Sequence, residues 1–291
     1  MDDIIAPARA NTRVLNALSI DVEDYFQVEA FVDIVKRDDW PAYSSRVVAN
    51  TEALLHIFSD AKVLGTFFVL GWVAERYPGL VAAIATEGHE IACHGYSHQR
   101  VSRQTPVQFR DETVRAKHLL EDITGRPVIG YRAATFSIVS ESLWALDVLA
   151  DVGFLYDSSI FPVRHDSYGI PAFSRTPVRL DLQSGASLVE FPLTTVRIAG
   201  VNVPVSGGGY FRIFPYGFTR FAYRRLNRAG SPVMFYMHPW EIDALQPRLP
   251  GRLTSRLRHY ANLERTAGRL QRLLADFRFG RVCDVVDILA L

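Results

Sequence analysis

Residues 62–93 read KVLGTFFVLGWVAERYPGLVAAIATEGHEIAC, and this stretch decides the fold class. Residues 62–70 form an apolar run of the kind found in strands that are buried on both faces of a parallel sheet. A helix is expected at residues 78–86, because it would start on a proline and end just before Gly88. Residues 90–93 then form a second short strand, so the stretch predicts one strand–helix–strand unit with a parallel crossover.

The same alternation continues on both sides of this unit. Further strands are expected at residues 14–22, 128–133, 154–156, 233–237 and 282–286, and further helices at residues 44–59, 106–124, 140–152, 216–229 and 255–277. Residues 162–209 carry many prolines, serines and glycines, which favours irregular or hairpin-like structure. Strands that alternate with helices predict an α/β fold with a parallel sheet, most simply an incomplete (β/α) barrel. We find no linker, so residues 1–291 are expected to form a single domain with a C-terminal helical extension at about residues 250–291.

The overall charge and composition exclude several classes of protein. The 291 residues include 32 Lys and Arg against 31 Asp and Glu, so the formal net charge is +1 and any binding to nucleic acid or to an anionic membrane must be local. We expect no nucleic-acid partner, and no transmembrane segment because no apolar run reaches the ~18 residues that a span needs. The acidic start MDDIIAPARANTR is unlike a secretory signal, and Cys93 and Cys283 are expected to be free thiols. These features favour a cytoplasmic protein, with association with the cytoplasmic side of a membrane as an alternative; the oligomeric state stays open.

Residues able to bind metal or move protons follow the predicted strands. Asp21, Glu23 and Asp24 close the first strand, while His94 and His98 follow the third. Two histidines four residues apart would share one face of a helix and could hold one divalent cation, most simply zinc. Three carboxylates within four residues would repel one another unless a cation lies among them. Because Asp21 and Glu23 share a face of an extended chain, we favour Glu23 as the third ligand and Asp21 as a free base, with Asp24 as the alternative ligand.

Two further strand ends offer groups for hydrolysis. A divalent ion acidifies water and polarises a carbonyl, and Asp21 could take the proton, as amide or ester hydrolysis requires. Arg132 could pair with Asp21 and hold its orientation. His238 follows the predicted strand at residues 233–237 and is the candidate acid that protonates the leaving nitrogen.

Aromatic side chains lie beside these residues in the sequence and are candidates for a sugar-binding cleft, because aromatic faces pack on the apolar faces of pyranose rings. The candidates are Tyr25, Tyr96, Tyr210, Phe211 and Trp240. Three glycines at residues 207–209 are expected to form a tight turn that brings Tyr210 and Arg212 near the mouth of the site. These side chains would suit a carbohydrate ligand.

The segments SIDVEDYF, HGYSH, GYRAATFS and FYMHPWE stand in the order of four motifs of the polysaccharide deacetylase family with NodB homology, carbohydrate esterase family four. The chain resembles that family over most of its length, which implies a distorted or incomplete (β/α) barrel of the NodB deacetylase type. In the family, the acidic motif supplies the base and a metal ligand, the HxxxH motif two more ligands, the arginine motif orients the base, and the late histidine acts as general acid. IDVEDYFQVEAF, DSSIFP, GGGYFR and HYANLERT are similar to the subfamily associated with exopolysaccharide loci and the exosortase system.

Two departures from the family pattern concern the chemistry. Residues 21–24 read DVED where an adjacent pair of aspartates is usual, which resembles the peptidoglycan-deacetylase-like and allantoinase-like branch and leaves Glu23 or Asp24 as the acidic ligand. Residues 132–135 read RAAT where relatives have RxPY, so the tyrosine that helps to form the oxyanion site is absent. A backbone N–H or another side chain must replace it.

The resemblance implies a metal-dependent hydrolase that removes N-acetyl groups from N-acetylhexosamine residues of an exopolysaccharide or related glycan. It implies one divalent metal ion, with zinc expected. Three alternatives stay open at this stage: a cyclic-amide hydrolase of the allantoinase-like kind, a non-catalytic glycan-binding protein, and a glycosidase that uses two carboxylates without a metal.

Overall fold

The computed structural model describes residues 14–165 and 168–291. In this part of the chain the strands are β1 (Asn16–Val22), β2 (Thr66–Val69), β3 (Glu90–Cys93), β4 (Gly130–Tyr131), β5 (Tyr156–Asp157), β6 (Val178–Asp181), β7 (Ser187–Glu190), β8 (Thr195–Ile198), β9 (Val201–Pro204), β10 (Met234–Met237) and β11 (Phe279–Gly280). The helices are α1 (Val47–Ala61), α2 (Gly71–Arg76), α3 (Pro78–Thr86), α4 (Pro106–Thr124), α5 (Trp144–Val152), α6 (Gly208–Ile213), α7 (Tyr216–Arg228), α8 (Leu253–Tyr260), α9 (Leu263–Asp276) and α10 (Val282–Ile288). None of these helices is both long and apolar enough to cross a bilayer.

One curled sheet organises the molecule. Its strands lie in the order β10-β1-β2-β3-β4-β5-β7-β6, and β11 pairs with the start of β1. All neighbours are parallel except β6 and β7, which form an antiparallel hairpin at one edge. Irregular backbone spans the gap between β7 and β10, where Val205 N donates to Thr194 O at 3.1 Å and Tyr236 N donates to Ser206 O at 2.9 Å. The predicted distorted or incomplete (β/α) barrel is confirmed.

Alternation along β1 decides which side chains face the inside of the barrel. All seven of its residues are buried. Leu18 and Ile20 pack in the core that includes helical residues such as Leu54, whereas Ala17 packs in a second core with Phe68 of β2. Since successive side chains of a strand point to opposite faces, Asp21 projects to the same inner side as Ala17.

The predicted last strand is wrong. Residues 282–286 lie in α10, and the strand that pairs with β1 is the preceding Phe279–Gly280. The buried side chains of α10 are Val282, Val285 and Val286, a spacing of three and four that matches one face of a helix. The abundance of valine suggested a strand, but the polar residues between the valines follow the helical period.

The predicted long helix at residues 255–277 is two helices. The chain breaks between α8 and α9, where Asn262 adopts a left-handed conformation with φ 54°. Its side-chain amide donates to the backbone oxygen of Arg212 at 2.9 Å, and the Arg212 guanidinium donates to the backbone oxygens of His259 and Ala261. The break is thus held by a buried arginine from α6, a contact between segments about 50 residues apart.

The predicted tight turn at residues 207–209 is wrong, because Gly208 and Gly209 begin α6, a helix that was not predicted, and Gly207 precedes it. Gly207 has φ 145°, and a Cβ there would lie 1.9 Å from the backbone oxygen of Tyr236. Only glycine allows this close approach to β10. Residues 162–209 otherwise contain the predicted hairpins, which are β6–β7 and β8–β9.

Candidate active site

Glu23, His94 and His98 meet at the carboxyl ends of β1 and β3. One ligand atom from each of the three residues lies within 4.8 Å of the others, and all three side chains are buried. Glu23 Oε2 lies 2.7 Å from His98 Nε2, yet it accepts no hydrogen bond of normal geometry from the described residues. A buried carboxylate oxygen without a donor is costly, so this atom fits a cation better than it fits the protein alone.

Irregular backbone, and not a helical turn, brings the two imidazoles together. The segment after β3 contains Gly95 at φ 73° and His98 at φ 53°, and the two histidine rings have centroids 5.5 Å apart. A left-handed histidine costs of order 1–3 kcal/mol and persists where the surroundings fix it, often at functional sites. The backbone of His98 therefore carries strain that places its ring beside Glu23.

Burial and charge set the protonation states that a metal site needs. Burial opposes ionisation of Glu23, but the charges of His98 and His238 outweigh burial and lower the pKa of Glu23 to about 2. Burial lowers the pKa of His94 to about 4. An ionised carboxylate and a neutral imidazole are the forms that bind zinc or a similar ion.

His94 is oriented by the strand beside it. Its Nδ1 donates to the backbone oxygen of Arg132 at 2.9 Å, which leaves Nε2 free to face Glu23 and His98. A hydrogen bond to the second ring nitrogen is the usual way in which proteins fix the tautomer of a metal ligand. The donor set, its burial and this orientation all fit one divalent ion.

Asp21 and Arg132 form a buried ion pair at the base of the cleft. Arg132 Nη1 lies 2.5 Å from Asp21 Oδ1 and 2.9 Å from Ser19 Oγ. The guanidinium also donates to the backbone oxygen and to the hydroxyl of Ser158, each at 3.1 Å, and it lies 4.0 Å from the ring centre of Phe68. Arg132 is therefore fully engaged, and one of its bonds fixes Asp21, as the sequence predicted.

His238 follows β10, the strand that pairs with β1, and it contacts Glu23. Its Nε2 is 3.3 Å from Glu23 Oε1, and its Nδ1 is 2.8 Å from Glu241 Oε1. Burial lowers the pKa of His238, but Glu23 and Glu241 outweigh burial and raise it to about 9. The two carboxylates thus favour the protonated form of His238, and Glu241 holds its ring.

Glu241 is a site residue that the sequence reasoning missed. It accepts from Arg212 Nε at 2.6 Å and is almost fully buried. Burial opposes its ionisation, but the charge of Arg212 and the bond to His238 lower its pKa to about 2. The spacing of three residues between His238 and Glu241 in HPWE was the available signal.

The structure does not bring Asp24 to the cluster. Its Oδ2 accepts from the Ser45 hydroxyl at 2.6 Å and from the backbone N–H groups of Arg46 and Val47 at 2.9 and 3.2 Å. Its Oδ1 accepts from Tyr25 N at 3.0 Å. Asp24 therefore binds the start of α1, and Glu23 is the carboxylate beside the histidines.

A cleft of about 740 Å³ opens above these residues. Its volume lies within the range of about 300–1,000 Å³ that is usual for ligand sites. Its floor is lined by Asp21, Glu23, His94, His98 and His238.

Trp240 is the one predicted aromatic that lines the cleft in the described part of the chain. It stacks between the rings of His238 and His259, and its Nε1 has no hydrogen-bond partner among the described residues. Tyr25 is buried beside Phe26, Tyr96 bonds to Glu75 and Arg115, Phe211 packs on Phe235, and Tyr210 packs near Phe161, all outside the cleft wall.

Other aromatic residues take the places expected for those side chains. Phe136, Tyr168 and Tyr236 line the cleft. Phe136 and Tyr236 pack edge to face with centroids 4.9 Å apart.

Thr135 and Phe136 have φ values of 58° and 51°, so two consecutive left-handed residues stand where the motif tyrosine of the family is missing. Their positions depend on this strained turn, which no periodicity of the sequence predicts.

Comparisons with known proteins agree with this geometry. Residues 35–154 match the sequence model of the family described as polysaccharide deacetylase, and residues 158–287 match a domain of unknown function, DUF3473. The peptidoglycan-N-acetylglucosamine deacetylase of Bacillus cereus is 33% identical over 75 residues, which is 26% of this chain and 27% of that protein. The match thus covers about a quarter of that relative's length.

Two solved structures share the fold. A protein from Mycobacterium smegmatis described as a polysaccharide deacetylase aligns over 95% of this chain and 90% of its own, with a TM-score of 0.60 and 23% identity. An allantoinase aligns over 97% of this chain and 91% of its own, with a TM-score of 0.59 and 14% identity. At these identities the likeness shows the fold alone.

The fold is therefore that of the NodB class of incomplete (β/α) barrels. Residues 35–154 are similar to the polysaccharide deacetylase family.

Proposed function

We propose that this protein is a metal-dependent hydrolase that removes N-acetyl groups from N-acetylhexosamine residues of a glycan, with an exopolysaccharide or related polymer as its substrate. The observation that carries the proposal is the meeting of Glu23, His94 and His98 beside the Asp21–Arg132 pair on one cleft floor. The family match of residues 35–154 supports the same chemistry.

Glu23, His94 and His98 are the residues that would hold the ion, and zinc suits two imidazoles and one carboxylate. When bound, a divalent ion supplies Lewis acidity toward the amide oxygen and toward water. The protein's part is to present three oriented ligand atoms and to leave one side open to the cleft, since the ligands come from the ends of β1 and β3, the two strands that flank β2.

Asp21 is the proposed general base. Its carboxylate reaches the cleft, and the bond from Arg132 to Oδ1 leaves Oδ2 to accept a proton from the attacking water. Arg132 acts as a positioning residue, since its bonds to Ser19 and Ser158 fix the guanidinium.

His238 is the proposed general acid. Glu241 favours the protonated form of His238, and it holds Nδ1 so that Nε2 faces the cleft. A positioned acid is needed because the amine would otherwise leave as an unstable anion.

The direct test is acetate release from N-acetylated oligosaccharides before and after chelation. We expect chelation to abolish turnover and zinc to restore it. Glu23→Gln should lose both the ion and the activity. Glu90→Gln is the matched control, because Glu90 is a buried carboxyl group that bonds to Thr66, Tyr156 and Cys283 away from the cleft. Unchanged turnover after the metal is stripped would contradict the proposal.

The allantoinase neighbour makes cyclic amides the second substrate class to assay, because its TM-score nearly equals that of the deacetylase neighbour. The cleft's aromatic wall of Phe136, Tyr236 and Trp240 favours a sugar ring over a small polar ring. If the protein opens the ring of a cyclic ureide and releases no acetate from any glycan, it is a cyclic-amide hydrolase and not a deacetylase.

A further inference from the structure

The segment between Asp243 and Glu264 is strongly basic. Residues 244–263 contain four arginines, at positions 248, 252, 256 and 258, and no Asp or Glu. None of these four arginines forms an ion pair with an acid in the part of the chain that the structure describes. The segment thus carries local positive charge on a chain whose net charge is +1.

Helix α8 lies within this segment and has two different faces. Arg252, Ser255 and Arg258 line the cleft. Leu253 and Leu257 are 69% and 63% exposed. Each is two residues from Ser255, about 200° around a helix of 3.6 residues per turn, so the two leucines point away from the protein.

An exposed apolar residue of the cleft rim lies next to the start of α8. Ile34, which is 40% exposed, also lines the cleft, and its Cδ1 lies 3.3 Å from the position of a Cβ on Gly251, just before α8. Single exposed leucines scattered over a surface need no explanation. Two leucines four residues apart lie on one face of a helix, and with arginines beside them they form an amphipathic surface.

We propose that α8 docks the protein on the surface of an anionic phospholipid bilayer. Leu253 and Leu257 enter the boundary between headgroups and acyl chains, and Arg256 with Arg252 contacts lipid phosphates. Charge complementarity favours this occupant, because the segment offers only positive charge. The few exposed apolar side chains are too small a set for a stable protein interface, which takes roughly 20–30 residues a side.

Docking through α8 would hold the cleft close to the membrane surface but facing away from the lipid, because the leucines and the cleft lie on opposite sides of the helix. The same helix that presents leucines outward contributes Arg252, Ser255 and Arg258 to the cleft wall. The inference goes beyond the proposed function, and it can be tested without measuring turnover.

The experiment is flotation of the full chain with vesicles of phosphatidylcholine alone or mixed with phosphatidylglycerol. We expect binding only to the anionic vesicles, weakened by salt. The double variant Leu253→Ser/Leu257→Ser should bind at least about tenfold more weakly, since it removes two apolar side chains from the boundary. Arg256→Glu should bind about tenfold more weakly, because it reverses one charge near the surface.

The matched control is Phe221→Ser on α7. Phe221 is 54% exposed and lies with Arg220, Arg224 and Arg225 around another surface cavity, so it offers the same chemistry away from the active-site cleft. Its vesicle binding should equal that of the wild type. A Leu257→Trp variant gives a second readout, and its emission should shift to the blue with anionic vesicles only.

Three results would overturn the proposal. The first is equal or absent binding to both vesicle types, and the second is loss of binding in Phe221→Ser in place of the α8 variants. The third is loss in Arg256→Glu with full binding in Leu253→Ser/Leu257→Ser and no spectral shift in Leu257→Trp. That last pattern would make the segment a site for soluble polyanions, such as an acidic glycan.

Discussion

Asp21 and Arg132 show how single residues acquire their roles from the strand that carries them. Asp21 faces the inside of the barrel because Ala17, Ser19 and Asp21 share one face of β1. The Ser19 hydroxyl also accepts a hydrogen bond from Arg132. Removing either partner of a buried pair leaves an uncompensated charge, which costs about 3–5 kcal/mol. The amide of asparagine keeps the shape of Asp21 but cannot act as a base.

We therefore predict that Asp21→Asn retains its metal and loses about 10²–10⁴-fold in kcat, the usual contribution of a general base. Metal content by elemental analysis and acetate release measure the two effects. His94→Ala is the comparison, since it should lose the ion as well. A metal-free Asp21→Asn protein would instead make Asp21 a ligand.

The Glu241–Arg212 pair gives a pH dependence of stability. The pKa of Glu241 falls from its ordinary 4.5 to about 2 in the folded protein, so its ionised form stabilises the fold by about 3 kcal/mol above pH 4.5. This contribution is lost as the pH falls from 4.5 toward 2. Glu241→Gln should accordingly lower the melting temperature strongly at pH 7 and much less at pH 3.

Thermal melts of wild type and Glu241→Gln across this pH range test the prediction. Asp151→Asn is the control, because Asp151 pairs with Arg110 on the surface, where both side chains are well exposed. Such pairs contribute little at any pH. An equal destabilisation by Glu241→Gln at both pH values would show that the pair does not shift the pKa of Glu241.

Sequence reasoning could name the polar groups at strand ends, because parallel strands bring their carboxyl ends to one edge. Asp21, Arg132 and the histidines were found in this way. Glu241 and Ser158 were not, since their importance lies in hydrogen bonds that only the folded chain shows. The roles of these residues stay predictions until the variants are measured.

At the scale of elements, Asp24 connects the loop after β1 to the start of α1. Its carboxylate accepts from the first backbone N–H groups of the helix, which otherwise lack partners. We predict that Asp24→Ala lowers the free energy of unfolding by about 1–2 kcal/mol, the usual cost of a lost N-terminal cap, and leaves the metal content unchanged. Denaturant unfolding and elemental analysis test this. Loss of the ion would restore Asp24 as the acidic ligand.

Elements with strong local signals were predictable, and elements that depend on distant contacts were not. Thr105 caps α4 and Gly125 ends it, as the sequence predicts. The division of residues 255–277 into α8 and α9 depends on Arg212, far away in the chain, and so has no local signal. The error at α10 was different, because its spacing of three and four was present in the sequence.

At the scale of the whole molecule, the metal site joins β1 to β3 across β2. Ligands that bind the folded state alone stabilise it, by about 2.7 kcal/mol at 100 times Kd. We predict that zinc at this excess raises the Tm of the metal-free protein by roughly 4–5 °C, and that His94→Ala shows no such rise. Calorimetry tests both. The same rise in His94→Ala would place the stabilising ion elsewhere.

Alternating strands and helices predicted the curled sheet but not its strand order at the edge. β7 pairs with β5, and β6 lies outside it, so the order of strands differs from the order of the chain. The seam between β7 and β10 also rests on single hydrogen bonds of irregular backbone. Pairings between distant segments of this kind leave no periodic pattern in the sequence.

Asp21 lies in β1, which pairs with a neighbouring strand on each side, and Glu23 directly follows the end of β1, where its backbone N–H donates to Asp21 O at 3.0 Å. The pairing of β1 and this backbone hydrogen bond therefore fix the spacing of the two residues that carry the carboxylates. Substrates of different size must therefore be accommodated by the residues of the cleft wall. We expect changes of substrate on this scaffold to come from substitutions at the rim of the cleft, with the residues of its floor unchanged.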